Sequence, residues 1–420
     1  MKKVLLFMGM IIALTLTACS NDSTEAVVEQ PEQTGEFADI PLTAQQKKKV
    51  PVLNDFALKL ARQMAVEDKS FVVSPLSVAF LLGMLDEGAE GETQAEIART
   101  LGLGNANREE VNALMAALLG YTGTADDQVT VAYANNVTLN AKYNYQLSET
   151  FGNAMKTYYD ASTMSCDFSK PETLSAINSW SNEHSRGLIP NIIDKLDEDV
   201  VMCLLNAVYF KGKWTEPFDK TETHAGCFKI GTGNSDEDWI NIDMMRKTAT
   251  ANYHEESGLQ ALNLPIGNGN YSMTLLLPAE GKTVKDMLAG LKASDLRQMP
   301  FSQEEVDMAI PVFKTTAETN LIPLLKGMGM KKVFNKDESQ LTRMVKDSLN
   351  PLYVSLMKQN TQLGINEEGT EGSAVTIGEL MAGANIDRTI NYFHATRPFA
   401  YFISDKGSGA ILFMGMFAGE

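Results

Sequence analysis

The chain has 420 residues, enough to bury a large core, and 44% hydrophobic with 21% charged residues excludes wholesale disorder. Formal charge is −17, and no basic run is longer than Lys47-Lys48-Lys49. So acidic a surface repels phosphate backbones, which argues against nucleic acid as a partner.

The first element in chain order is an address. Lys2 and Lys3 open a basic start, and Val4 to Leu16 is an apolar run too short and wrongly flanked to span a bilayer. Residues 1–18 are therefore expected to be a secretory signal. The run ends Leu16-Thr17-Ala18-Cys19, which resembles a bacterial lipobox. That resemblance implies lipidation of Cys19; an ordinary signal cut near Ala18 is the alternative. Ser20 after the cysteine resembles outer-membrane sorting in Gram-negative bacteria, so the expected place is the cell envelope, periplasmic or surface-facing, with membrane contact through the N-terminal lipid only. Residues 19–43 hold Asp22, Glu25, Glu29, Glu32 and Glu36 with Pro31, Gly35 and Pro41, and read as a flexible acidic tether.

Residues 44–420 read as one domain without an internal repeat. Thr93 and Glu96 form a capping-box pattern opening a short helix that ends at Gly102; Asn107 and Glu110 form another, before Val111, Leu114, Met115, Leu118 and Leu119 on one face. Tyr271, Met273, Leu275 and Leu277 have strand periodicity, as do Val306, Met308, Ile310 and Val312. Pro398 to Phe417 reads as a buried hairpin hinged at residues 404–409. Helices mostly precede strands without strict alternation, so the class is α+β.

Catalytic chemistry finds little support. No nucleophile elbow, P-loop, zinc-protease or dinucleotide motif is present. His184, His224, His254 and His394 are isolated from one another. Cys166, Cys203 and Cys227 have neither disulfide-framework nor zinc spacing, and Cys203 lies in an apolar run that suits a buried, inert thiol. His254-Glu255-Glu256 reads as a solvated turn rather than metal ligands, and the 22 methionines as core filler. No enzyme, cofactor or metal is expected.

One segment does not suit a passive fold. After extended stretches in residues 352–366 comes a long proline-free run, residues 367–385, rich in small residues. A connection of that length is usually functional. With period 2, Thr370, Gly372, Ala374, Thr376 and Gly378 form a small, uncharged side that could slide into a sheet. Periodicity alone leaves a disordered insertion equally open.

Here the chain resembles the serpins. Residues 367–374 (EEGTEGSA) look like the hinge of an inhibitory reactive-centre loop. The segments 71–77 (FVVSPLS), 85–89 (LDEGA), 205–214 (LNAVYFKGKW), 310–313 (IPVF) through 329–334 (GMKKVF), 393–399 (FHATRPF) and 411–415 (ILFMG) resemble further family motifs, in order. The similarity runs from about Lys47 to the end.

The resemblance implies the serpin fold: a large mixed central sheet, smaller sheets, about eight or nine helices and an exposed loop at about 367–392. It implies a monomeric suicide-substrate inhibitor of serine, sometimes cysteine, proteases. The cut loop enters the main sheet as a strand and traps the acyl-enzyme. Glu367, Gly369, Thr370, Gly372 and Ala374 correspond to the hinge, with Gly372 replacing the usual alanine. Ser74, Ser77 and Asn206 correspond to the "shutter", where Gln359 stands in place of the usual histidine; Ser70 replaces an asparagine; Trp214 corresponds to the "breach". Counting along the loop puts the scissile bond between Gly383 and Ala384, with Met381 and Ala382 as alternatives. Such residues suit an elastase-like or subtilisin-like protease; Arg388 would suit a trypsin-like one but lies only five residues before Phe393. The competing reading is a non-inhibitory serpin-fold binding protein whose loop is cleaved without trapping. A Cys–His hydrolase and a passive adhesin stand further off.

Overall fold

A computed structural model describes residues 42–65, 69–184, 187, 190–230, 235–346, 351–370 and 390–419. Among these are nine α-helices and three sheets. Helix α1 (Ala44–Met64) precedes strand β1 (Phe71–Val73), helices α2 (Pro75–Gly88), α3 (Gly91–Leu101) and α4 (Arg108–Thr122), and strand β2 (Val129–Asn140). Next come β3 (Gln146–Leu147), α5 (Glu149–Tyr159), β4 (Ala161–Cys166), α6 (Pro171–His184) and β5 (Met202–Lys213). Strands β6 (His224–Lys229), β7 (Trp239–Glu256), β8 (Leu259–Ile266) and β9 (Tyr271–Leu277) lead to helices α7 (Val284–Gly290) and α8 (Ala293–Arg297). Then follow β10 (Ser302–Pro311), β11 (Phe313–Asn320), α9 (Leu321–Gly327), β12 (Val345–Lys346), β13 (Leu356–Ile365) and β14 (Gly369–Thr370). Strands β15 (Asn391–His394), β16 (Phe399–Asp405) and β17 (Ile411–Phe417) close the chain.

The mixed sheet that carries the site has the order β11-β13-β5-β2-β4, with β14 added on β5. β5 is antiparallel to β2 and parallel to β13. A nine-stranded sheet runs β1-β17-β16-β9-β8-β7-β10-β15 with β6 on β7, and β12 pairs with β3. Helix α2 lies between the two larger sheets. Its sequence is apolar nearly all round and all fourteen residues are buried, as expected of a helix with no solvent face. Pro75 at its first turn and the Ser74 hydroxyl, which accepts from the Ser77 N–H, fix its start.

Local sequence signals hold in most places. Asn107 and Glu110 make a reciprocal capping box on α4, with Val111, Leu114, Met115 and Leu118 buried beneath and Leu119 half-buried. The alternations at 271–277 and 306–310 lie on β9 and β10, and the C-terminal hairpin is β16–β17. The Thr93 cap is a correction. Helix α3 already starts at Gly91, with Glu90 at its N-cap. Tertiary partners claim the capping groups: the Thr93 hydroxyl accepts from the Gln340 N–H at 3.1 Å, and the Glu96 carboxylate accepts from Lys331 and Lys332 N–H at 2.7 and 2.8 Å. A long-range backbone donor outbids the local one because the loop at 331–340 is pinned against the helix. Ser70, in place of asparagine, accepts from the Ala418 N–H and ties the strand end to the start of β1.

Candidate functional site

Strands β5 and β13 run side by side, but their ladder covers only Leu356–Thr361 against Cys203–Val208. Both strands continue beyond it, β5 to Lys213 and β13 to Ile365. At the top of this wedge sits a tight turn. Asn366 and Gly369 exchange both backbone hydrogen bonds, 2.9 and 3.2 Å, so Glu367 and Glu368 form its apex. The Asn366 side-chain oxygen accepts from the Glu368 and Gly369 N–H groups, which fixes the turn locally.

Glycine is required at the base of this turn. Gly369 has φ +144°, and a Cβ there would lie 2.3 Å from the Gly212 carbonyl oxygen and 2.6 Å from Lys213 Cα. β14 then pairs antiparallel with β5, Gly369 against Lys213 and Thr370 against Gly212. Thr370 is fully buried, and its hydroxyl accepts from the Gly212 N–H at 2.9 Å and donates to the Gly212 carbonyl at 3.1 Å. The side chain therefore occupies the backbone positions a new strand would use.

The segment after β5 clamps the turn. Trp214 is buried; its backbone N–H donates to the Glu368 carbonyl (2.9 Å) and its indole N–H to the Asn366 carbonyl (2.8 Å). Phe218 N–H donates to the Glu367 carbonyl at 2.8 Å. The Thr223 hydroxyl donates to the Glu367 carboxylate at 2.7 Å, and Lys220 Nζ to Glu368 Oε1 at 2.6 Å. That carboxylate holds the Lys220 ammonium pKa above its ordinary value.

Lower in the same pair of strands lies a buried polar cluster. Gln359 and Asn206 are ladder partners, and Gln359 Nε2 donates to Asn206 Oδ1 at 3.2 Å. The same amide accepts from the Ser74 N–H (2.9 Å) and donates to the Ser74 carbonyl (3.1 Å), a peptide-like pairing with the start of α2. Ser77 Oγ donates to Asn206 Oδ1, and Asn206 Nδ2 donates to Asn135 Oδ1 at 2.9 Å. All four residues Ser74, Ser77, Asn206 and Gln359 are inaccessible to solvent. They bridge β13, β5, β2 and α2.

Sequence reasoning singled out Glu367, Gly369, Thr370 and Trp214, which the fold gathers at the turn, and Ser74, Ser77, Asn206 and Gln359, which it gathers in the polar cluster. Gly372, Ala374, Met381, Ala382, Gly383, Ala384 and Cys19 lie outside the described residues. Lys220, Thr223, Phe218, Gly212, Asn135 and Asn366 were not singled out. Of these only Asn366, three residues before Gly369, carries a local turn signal; the others acquire meaning through strand pairing. Cys203 is buried, and burial pushes its thiol pKa up, away from the reactive range. Glu255 accepts from the Tyr253 hydroxyl, and among the described residues no cluster of three His, Cys, Asp or Glu could hold a metal ion.

The family model described as "Serpin (serine protease inhibitor)" matches residues 51–419. The chain is a serpin. Serpin B11 of Mus musculus is 30% identical over 87% of this chain and 97% of its own length. An uncharacterised serpin-like protein of Thermococcus kodakarensis is 29% identical over 90% and 87%. Among solved structures, the thermophilic serpin tengpin in its native state superposes with a TM-score of 0.82, at 24% identity over 91% of this chain and 96% of that one. Human thyroxine-binding globulin complexed with its hormone superposes with 0.80, at 25% identity over 90% and 99%. The serpin fold expected from the sequence is thus the fold found, and the family's general function is protease inhibition rather than catalysis.

Proposed function

We propose that this serpin is a suicide-substrate inhibitor of serine proteases, with Glu367, Gly369, Thr370, Gly372 and Ala374 as the insertion hinge. One coincidence of registers supports the reading. Continuing β14 along β5 brings Ala374 opposite Val208, because Thr370 already faces Gly212. Continuing the turn along β13 brings Ala374 opposite Thr361, because Asn366 already faces Gly369. Thr361 and Val208 are themselves ladder partners. An incoming strand would therefore part existing partners without slip, its small side entering the face that holds Gln359 and Asn206. A proline or charge on that side would stop it.

Met381, Ala382, Gly383 and Ala384 as scissile-bond residues favour an elastase-like or subtilisin-like target with a shallow, apolar primary pocket. In the same reading Cys19 is lipidated, residues 19–43 tether the domain 44–420, and the protein works at a Gram-negative outer membrane; loss of palmitate labelling on Cys19→Ala tests that. The deciding experiment mixes the soluble domain with pancreatic elastase and, separately, trypsin. A boiled, detergent-stable band at the summed mass is expected with elastase, and mass spectrometry of the released peptide fixes the bond. Loop cleavage that leaves the protease fully active would instead favour the second reading, a binding protein cut without trapping. Gly372 is the feature that favours it, because glycine joins a strand less readily than alanine.

A further inference from the structure

We infer that Tyr392, at the foot of β15, is a second contact for the target protease and receives a lysine or arginine of the enzyme on its ring. This rests on the reading that residues 381–384 hold the scissile bond, and not on whether the attacking enzyme is trapped. Among the described residues Tyr392 is the most exposed large apolar side chain, at 58%, and Ile390 two positions before it is 40% exposed. Its neighbour Phe393 is fully buried, so the strand itself is well seated. Tyr392 is held although it gains little burial. Asp307 of β10 is its ladder partner, and Gln260 Nε2 donates to its carbonyl at 3.0 Å and to the Tyr253 hydroxyl at 2.9 Å. Its ring meets His394 edge to face, with centroids 5.7 Å apart. The cost of ordering the side chain is thus already met in the uncut protein, which is what an interface anchor needs. Two carboxylates stand beside it: Asp307 across the ladder, and Glu255, 3.5 Å from the same Gln260 nitrogen. An aromatic face flanked by carboxylates attracts a cation. Chain length points to the occupant. Eight residues separate Ala384 from Tyr392 and span at most about 29 Å when fully extended. A protease domain of about 200 residues is roughly 40 Å across, so an enzyme gripping that bond stands over or beside the foot of β15.

The test measures the second-order rate of loop attack by pancreatic elastase, with trapped and cleaved products summed. It compares the parent domain with Tyr392→Ala, Tyr392→Phe and Tyr392→Lys. Tyr392→Ala is expected to slow attack about three- to ten-fold while the ratio of trapped to cleaved serpin stays unchanged. Tyr392→Phe keeps the ring face and should stay within about two-fold of the parent. Tyr392→Lys keeps a long side chain but repels a cation. It should fall below Tyr392→Ala at about 0.05 M NaCl and recover toward it at about 0.5 M. A merely structural role would lower the urea midpoint of the uncut protein and give the lysine variant no such salt relief. Equal rates in parent and Tyr392→Ala, or a slowing of Tyr392→Lys that salt does not relieve, overturns the inference. Attack in the expected rank order without any covalent complex defeats the inhibitory reading and upholds Tyr392 as a contact. A loop left intact by elastase, or a cut that mass spectrometry places outside residues 381–384, defeats the scissile-bond reading and the Tyr392 contact with it.

Discussion

Replacing Gln359 by leucine isolates what the buried polar cluster contributes. The side chain is fully buried and close to leucine in volume, so the change removes hydrogen bonds with little change in packing. The Ser74 N–H loses its acceptor, and the Thr361 hydroxyl, which donates to Gln359 Oε1 at 3.1 Å, loses its own. The Ser74 carbonyl keeps the helical bond from Val78, and Asn206 Oδ1 keeps Ser77. Two stranded groups at about 1–3 kcal/mol each, less about 1 kcal/mol for the added apolar surface, leave a loss of about 3 kcal/mol. Urea unfolding of the uncut domain, followed by tryptophan fluorescence, should show an earlier first transition with unchanged slope. A loss below about 0.5 kcal/mol would refute the argument that this amide closes the network between β13, β5 and α2.

Four further outcomes follow from the same geometry. Gln359→His should make stability titrate: a protonated imidazole would face the Ser74 N–H with a second donor, depressing the folded-state pKa, so stability falls as pH drops below about 6.5, whereas the parent shows no such step from this site in urea midpoints. Asp86, 3% exposed with Oδ1 unpartnered, has its pKa pushed up by burial to about 6, so its proton is held more tightly folded than unfolded and stability is lost as pH rises from about 4 through 6. Asp86→Asn should therefore gain about 1–3 kcal/mol at pH 8 and almost nothing at pH 4, read from urea midpoints at both. Gly369→Ala, with no room for its Cβ, should convert trapping into turnover by at least about ten-fold on a denaturing gel while the loop is still cut. Alanine at Cys166, Cys203 and Cys227 together should leave the trapped fraction within about two-fold, and abolition of inhibition would revive thiol chemistry.

How much was legible follows from the range of each signal. The alternation of small residues from Thr370 to Gly378 could be read because it is written in consecutive residues, while the expectation that this run is an insertion hinge came from the family resemblance. Capping at Asn107 was read correctly and at Thr93 wrongly from the same pattern, since only Thr93 meets a competing backbone donor 247 residues away. Lys220 could not be read: its partner is 148 residues later, and nothing around it distinguishes it from a solvated lysine.

The sequence by itself determined the class and the family, through periodicity and motifs that survive local inspection. Tertiary structure decided which of those parts lie together. Parallel pairing of β13 with β5 fixes which residues a new strand would separate, and the clamp on the 366–369 turn fixes where it would start. Ser74 and Gln359, 285 residues apart, become one hydrogen-bonded unit only when α2 is set under the wedge. Register and proximity arise from the joint burial of segments remote along the chain, and no short window of residues encodes them.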